Sequence, residues 1–226
     1  MNIEIVLARL NSMTNAKNAA GMARFGINPK GTLGIPIPKL KALAKEIGKD
    51  PQLALKLWKS GIHEAKLLAV FVAEPLKITE KQIKMVVNRF NSWDVCDAAC
   101  LYVLDRMPGA FERAETLSRS KKEFVKRAGF ALMAVLAVHD KQASDKKFES
   151  FLVLIKAGAE DERNFVKKAV SWALRQIGKR NGRLNRLAVK TSKELIKRDS
   201  KSARWIAADA LREFASLNTY VRKRIA

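Results

Sequence analysis

No stretch of this sequence sustains the alternation of Val, Ile, Thr and Phe that a half-buried strand needs, and that absence predicts an all-α chain. Cysteine is almost missing. Cys96 and Cys100 are the only two, one helical turn apart, and the only histidines, His63 and His139, are far off in sequence. That set suits neither a disulfide framework nor a zinc site, and the cysteines read as small buried hydrophobes. No metal or cofactor is expected. Six prolines and eleven glycines are few for 226 residues. No Ser/Pro/Gly-rich linker divides them, so residues 1–226 are read as one repeat domain. Long apolar runs are also absent. The opening MNIEIVLARLNSM carries Glu4 and Arg9 inside its apolar stretch, which fits neither a signal peptide nor a membrane span, and a cytoplasmic protein without membrane contact is expected.

Acid is scarce as well. Lys and Arg number 44 against 22 Asp and Glu, a formal net charge of +22. The imbalance is concentrated toward the end. Residues 163–226 hold 18 basic and 4 acidic side chains, a net of +14, and residues 1–162 hold 26 and 18, a net of +8. A polyanionic partner is implied, and a field of this kind steers nucleic acid.

What the chain has in quantity is self-similarity. FVKRAGFALMA at 124–134 returns as FVKKAVSWALR at 165–175 and as SARWIAADALR at 202–212. Fainter copies are GIHEAKLLAVF at 61–71 and SWDVCDAACLY at 92–102. Block starts at 61, 92, 124, 165 and 202 give spacings of 31, 32, 41 and 37 residues. That period belongs to stacked helix pairs of the HEAT and armadillo type. An α-solenoid of about six helix pairs with a basic concave surface is expected, and function is to be sought along a face.

Caps and stops place helices at roughly 2–12, 15–24, 38–48, 51–59, 62–73, 79–90, 93–106, 109–118, 121–138, 145–157, 160–178, 183–198 and 202–217. Asp50-Pro51, Thr79, Ser92 and Ser144 mark starts; Gly48, Pro75, Pro108-Gly109 and Asn181-Gly182 mark stops. Residues 26–37, GINPKGTLGIPI, read as a surface loop. On the helix at 183–198, Arg183, Arg186, Lys190, Lys193 and Lys197 fall within about 80° of arc. The stripe looks built to lie along a line of phosphates, with a plain solvated face as the alternative. Lys179 and Arg180 add charge at the turn before that helix, a natural anion site. Lys168 and Arg175 belong to the same cationic set on the preceding helix. His139, at a helix end, reads as a cation favoured by the dipole.

The helix from Ser92 is apolar almost all round. Trp93 and Asp97 share one of its faces, and Asp94 sits in the first turn, where the helix dipole favours a carboxylate. Asp97 is too deep for that role. It needs either a cationic partner on the next repeat or a function. Arg127 is fourth in its block and Trp172 eighth in the next. Equivalent helices of stacked repeats project onto one wall, so Trp93, Asp97, Arg127 and Trp172 are expected to converge. Indoles pack against sugars and bases, Arg grips phosphate, and the Asp opposes developing positive charge or takes a proton from water.

These residues carry a resemblance. The chain is similar to the HEAT-like-repeat DNA alkylation repair family, the AlkD-like DNA glycosylases. It is strongest in WDVCDAA at 93–99, FVKRAGF at 124–130, RNFVKKAVSWALRQIGKRN at 163–181 and ARWIAADALRE at 203–213. LGIPIPKLKALAKEI at 33–47 and IHEAKLLA at 62–69 also fit. The resemblance implies a lesion site lined by Trp93, Asp97, Arg127 and Trp172 and excision of N-alkylated purines from duplex DNA without a base pocket. It further implies double-stranded alkylated DNA as partner, a monomer, and association with the nucleoid. The alternatives that stay open are a non-catalytic array binding bent or branched DNA and a protein-binding scaffold. Aromatic contacts from the N-terminal helices would fall to Phe25, since the tyrosines are only Tyr102 and Tyr220.

Overall fold

Short polar side chains set where the helices begin. In the computed structural model, which describes the backbone of residues 1–225 and the side chains of residues 1–216, Asn2 caps α1 (Ile3–Ser12) and Asn15 caps α2 (Ala16–Met22). Asp50 accepts from the Leu53 N–H to open α4 (Pro51–Lys59), with Pro51 in the first turn, where its missing N–H costs nothing. Thr79 and Gln82 form a reciprocal capping box on α6 (Glu80–Val87). Ser92 and Ser144 stand at cap positions but make no side-chain cap bond.

Thirteen α-helices follow among the described residues, and no strand. Three expected boundaries shift by four residues or more, and the helix expected over 183–198 ends at Leu195, which leaves Lys197 in the turn beyond it. The helix expected over 93–106 is α7 (Trp93–Tyr102). It ends because Val103 leaves helical geometry (φ −130°, ψ −63°), and a 3₁₀ turn over Leu104–Arg106 succeeds it. The helix expected from 160 starts at Asn164, because the Asp161 carboxylate accepts from the Arg163 backbone N–H and makes a turn there instead. The last helix spans Lys201–Ile225. Tyr220 lies beyond the described side chains.

Read as one domain from sequence, the chain divides into two compact units, Met1–Met107 and Pro108–Ala226. In the first, α3 (Ile37–Ile47), α5 (His63–Val72) and α7 lie in a row, and α4 and α1 pack against α5. Leu40, Leu57, Leu68, Val95, Cys96 and Cys100 fill the core between them. The 31-residue repeat is visible as contact between equal block positions. His63 pairs with Asp94, and the rings of Phe71 and Tyr102 meet edge-on at 5.1 Å.

The segment at 26–37 is not the plain surface loop the glycines suggest. Ile27 and Ile35 are buried, and Glu64, fully buried at the start of α5, holds the segment from beneath. Its carboxylate accepts from the N–H groups of Leu33 and Gly34 at 2.7 Å each and of Ile35 at 3.3 Å. Gly34 has φ +74°, and a Cβ there would collide with Asn15 O and Ala19 N. Glycine is required on both counts.

In the second unit the repeats stand in two layers. One is α9 (Glu123–His139), α11 (Asn164–Gly178) and α13 (Lys201–Ile225). The other is α8 (Ala110–Ser118), α10 (Asp145–Gly158) and α12 (Gly182–Leu195). The FVK blocks open α9 and α11, and the rings of Phe124 and Phe165, both first in their block, meet at 5.3 Å, tilted by 36°. Phe130, Phe148, Phe151, Leu174 and Phe214 are buried in this unit.

Candidate nucleic-acid interface

In the first unit, α7 buries Val95, Cys96, Ala98, Ala99 and Cys100, while Trp93, Asp94 and Asp97 are half-buried. Trp93 and Asp97 are one turn apart, about 40° around the helix, so they share a face as expected. The Trp93 indole N–H donates to the Phe25 carbonyl at 2.9 Å. Phe25 itself is 65% exposed beside it. Asp94 does more than favour the helix dipole. Its Oδ1 accepts from the Val95 N–H and its Oδ2 lies 2.8 Å from Nε2 of buried His63. Burial alone would raise the Asp94 carboxyl, but the hydrogen bond and charge of His63 outweigh it and hold the group below its usual range. This gives His63 the role that sequence left open: it ties α5 to α7 at the base of the Trp93–Asp97 face.

In the second unit, one side of α11 is buried and the other is displayed. Val166, Ala169, Val170, Ala173, Leu174 and Ile177 face the core. Lys168 is exposed, and Trp172, Arg175 and Gln176 are half-buried on the same side. With the Gln176 amide oriented to satisfy its neighbours, its oxygen accepts from the Trp172 indole N–H at 3.3 Å and from Lys179 Nζ at 3.2 Å, which fixes the indole edge. Arg175 and Lys179 reach across to Glu213 on α13, and Arg175 also approaches Asp209. Burial pushes the Glu213 carboxyl up, and the two cations more than reverse it. Arg175 and Lys179 are therefore partly neutralised inside the protein, unlike Lys168.

Arg127 departs from expectation. An open phosphate grip would be exposed, yet Arg127 is 6% exposed and its Nη1 donates to the Phe165 carbonyl at 2.7 Å. It fixes the first turn of α11, two turns before Trp172. Arg180 departs further. Its guanidinium lies 4.3 Å over the Phe148 ring and donates to the carbonyls of Ala137 and Ala143, so it locks the helix ends together rather than facing an anion.

The α12 stripe is also placed differently from the sequence reading. Leu184, Ala188, Thr191, Ser192 and Leu195 are buried, and Arg183, Arg186, Lys190, Lys193 and Lys197 are exposed on the opposite side. Because α12 belongs to the α8–α10–α12 layer, the stripe faces away from the α11 side that bears Trp172. A helical wheel shows that these residues share a face; it does not show which layer the helix joins. Sequence reasoning also passed over Trp205 on α13, 38% exposed, with Lys167 Nζ 5.1 Å over its ring. The available signal was its block position, the fourth, equivalent to Lys168 and Arg127. Among the described residues no cluster of three or more His, Cys, Asp or Glu side chains could hold a metal ion. No helix described is long and apolar enough to cross a membrane.

Comparison with known proteins adds to this geometry. Residues 6–214 match the family model described as DNA alkylation repair enzyme. A solved structure described as "a new family of proteins related to the HEAT-like repeat DNA glycosylases with affinity for branched DNA structures" is similar at 20% identity and a TM-score of 0.78, over 94% of this chain and 95% of that one. A designed armadillo repeat protein in complex with a (KR)4 peptide aligns at 16% identity and a TM-score of 0.41, over 78% of this chain and 90% of that one. No curated protein matches. The fold is accordingly all-α, of the HEAT-like repeat class.

Proposed function

Since this chain belongs to the DNA alkylation repair enzyme family, we propose that it is a monofunctional DNA glycosylase. It hydrolyses the N-glycosidic bond of cationic N-alkylated purines, the 3-methyladenine and 7-methylguanine class, in duplex DNA. It does so without drawing the base into a pocket, as a cytoplasmic, nucleoid-associated monomer. The observation that carries the reading is Asp97, half-buried one turn behind half-buried Trp93 on a helix whose other faces are packed away.

The chemistry follows from charge. Alkylation at N3 of adenine or N7 of guanine leaves a cationic base and weakens the bond to C1′. As the bond stretches, positive charge moves onto the sugar. A fixed carboxylate beside it stabilises that charge, and Asp97 also orients or deprotonates the attacking water. The base leaves neutral, so no general acid is required. The electron-rich Trp93 face favours a neighbouring cation by about 0.5–2 kcal/mol. In the second unit Trp172 packs on the DNA and Lys168 holds a phosphate. Arg127 is a positioning residue, holding the turn that leads to Trp172.

The test is release of free 3-methyladenine and 7-methylguanine from methylated duplex. Asp97→Asn is expected to slow release by about 10²–10³-fold with duplex affinity retained; release at the wild-type rate would overturn the mechanism. A second reading is a non-catalytic array that binds bent or branched DNA, favoured by cations on both layers of the second unit and by the branched-DNA affinity described for the fold neighbour. Tight, salt-sensitive duplex binding with no base release would select it.

A further inference from the structure

The α12 stripe is left over once the α11 face is assigned to the lesion-bearing duplex. Arg183 is held by Glu149, and Glu194 at the stripe's edge is held by Lys156. Arg186, Lys190, Lys193 and Lys197 remain, all exposed and without an ion-pair partner among the described residues. Arg186, Lys190 and Lys193 run along about 10 Å of helix, and Lys197 follows in the turn just past its end. A solvated face ordinarily intersperses both signs; here the single acid, Glu194, sits at the stripe's edge and is paired with Lys156.

We propose that the outer face of α12 is a second duplex-binding surface, separate from the α11 face that bears Trp172. The proposal rests on the reading that this protein binds DNA, not on the excision chemistry. Geometry argues for separateness. The two faces belong to different layers, whose axes pack about 9 Å apart and whose helices are about 10 Å across. The faces therefore look in opposite directions about 20 Å apart. One duplex touching both would have to turn back on itself at about twice the curvature of nucleosomal DNA. Two separate segments meet no such cost. Four free cations give the second site a slope of log affinity against log salt of about −3.6. The protein would thereby hold one duplex for inspection while a second is held behind it.

Sedimentation velocity with fluorescently labelled 16-bp unmodified duplex at low salt tests this by stoichiometry and mass. The wild type is expected to take up two duplexes per protein. The triple variant Lys190→Glu, Lys193→Glu, Lys197→Glu is expected to take up one, with affinity for that first duplex unchanged. A single duplex on the wild type overturns the proposal, as do two on the variant. Loss of first-duplex affinity in the variant also overturns it, since one duplex would then touch both faces. The three lysines are exposed, so thermal unfolding should not move; if it does, the corresponding Lys→Gln triple gives the same readout. Failure here is distinct from failure of the glycosylase reading: a protein that excises but binds one duplex refutes only this inference, and one that binds two without excising refutes only that reading.

Discussion

The indole N–H of Trp93 donates to the carbonyl of Phe25, 68 residues earlier in the chain. One side chain proposed for the lesion site is thus also the clasp of the 3₁₀ turn at Ala23–Phe25. Trp93→Phe keeps an aromatic face, though a smaller one, and removes the donor. It is expected to cost about 0.5–1.5 kcal/mol in urea unfolding and to speed amide exchange at Gly26 and Ile27, while excision falls less than in Trp93→Ala. Amide exchange at those positions equal to the wild type's would show that the bond does not order the turn.

Glu64 makes a stronger demand. It is fully buried and its carboxylate serves three backbone donors. Glu64→Gln turns one acceptor into an NH₂ group facing N–H donors, so at least one pairing is lost. A loss of about 2–3 kcal/mol is expected, with proteolytic nicking appearing within residues 26–36. Gly34→Ala is expected to match or exceed it, because the new methyl has no space and φ is positive. Urea midpoints with limited proteolysis check both.

These two cases mark what the sequence could and could not convey. Periodicity and caps locate all thirteen helices, because each helix start depends on neighbouring residues alone. The FVK repeat predicts which helices are equivalent, and Phe124 on Phe165 bears that out. Glu64 is different. At the head of an apolar helix an acid looks like an ordinary partner for the dipole, and its real partners lie about thirty residues away. The same holds for Arg127 and Arg180, whose carbonyl partners are visible only after folding. For α12 the stripe was legible and its layer was not, since layer membership is decided by which neighbours cover the apolar side.

Acid should loosen the second unit, most of all at Asp161, whose carboxyl is held lower than that of Glu213. Asp161 is 9% exposed and contacts Arg163 and Lys126. The hydrogen bonds from Arg163, then from Lys126, outweigh burial and hold its carboxyl far below the ordinary carboxylate range. A depressed acid stabilises the fold above its unfolded pKa, about 3.9, and that contribution drains away as pH falls below it toward the folded value. Stability is therefore expected to drop on going from pH 5 to pH 3, by about 1 kcal/mol from this group. In Asp161→Asn the loss is present at pH 7 already and the drop shrinks by that amount. Equal pH slopes for the two proteins would remove Asp161 as the cause.

Lys168 and Arg127 occupy the same block position in successive repeats, and exposure separates what they do. Arg127 is buried and bonded to the Phe165 carbonyl; Lys168 lies open on the α11 face. Lys168→Ala should leave stability within about 0.5 kcal/mol of wild type and lower the salt slope of duplex binding by about 0.9, the share of one phosphate. Arg127→Met should cost about 1–3 kcal/mol, because a buried carbonyl loses its donor. Its salt slope is expected to stay unchanged, since a 6%-exposed guanidinium offers no phosphate a contact in this conformation. Titrations at several salt concentrations, set beside urea unfolding of both variants, decide it. A fall in slope for Arg127→Met with stability intact would make Arg127 a phosphate ligand after all, and would require the α9 end of this wall to open when DNA binds.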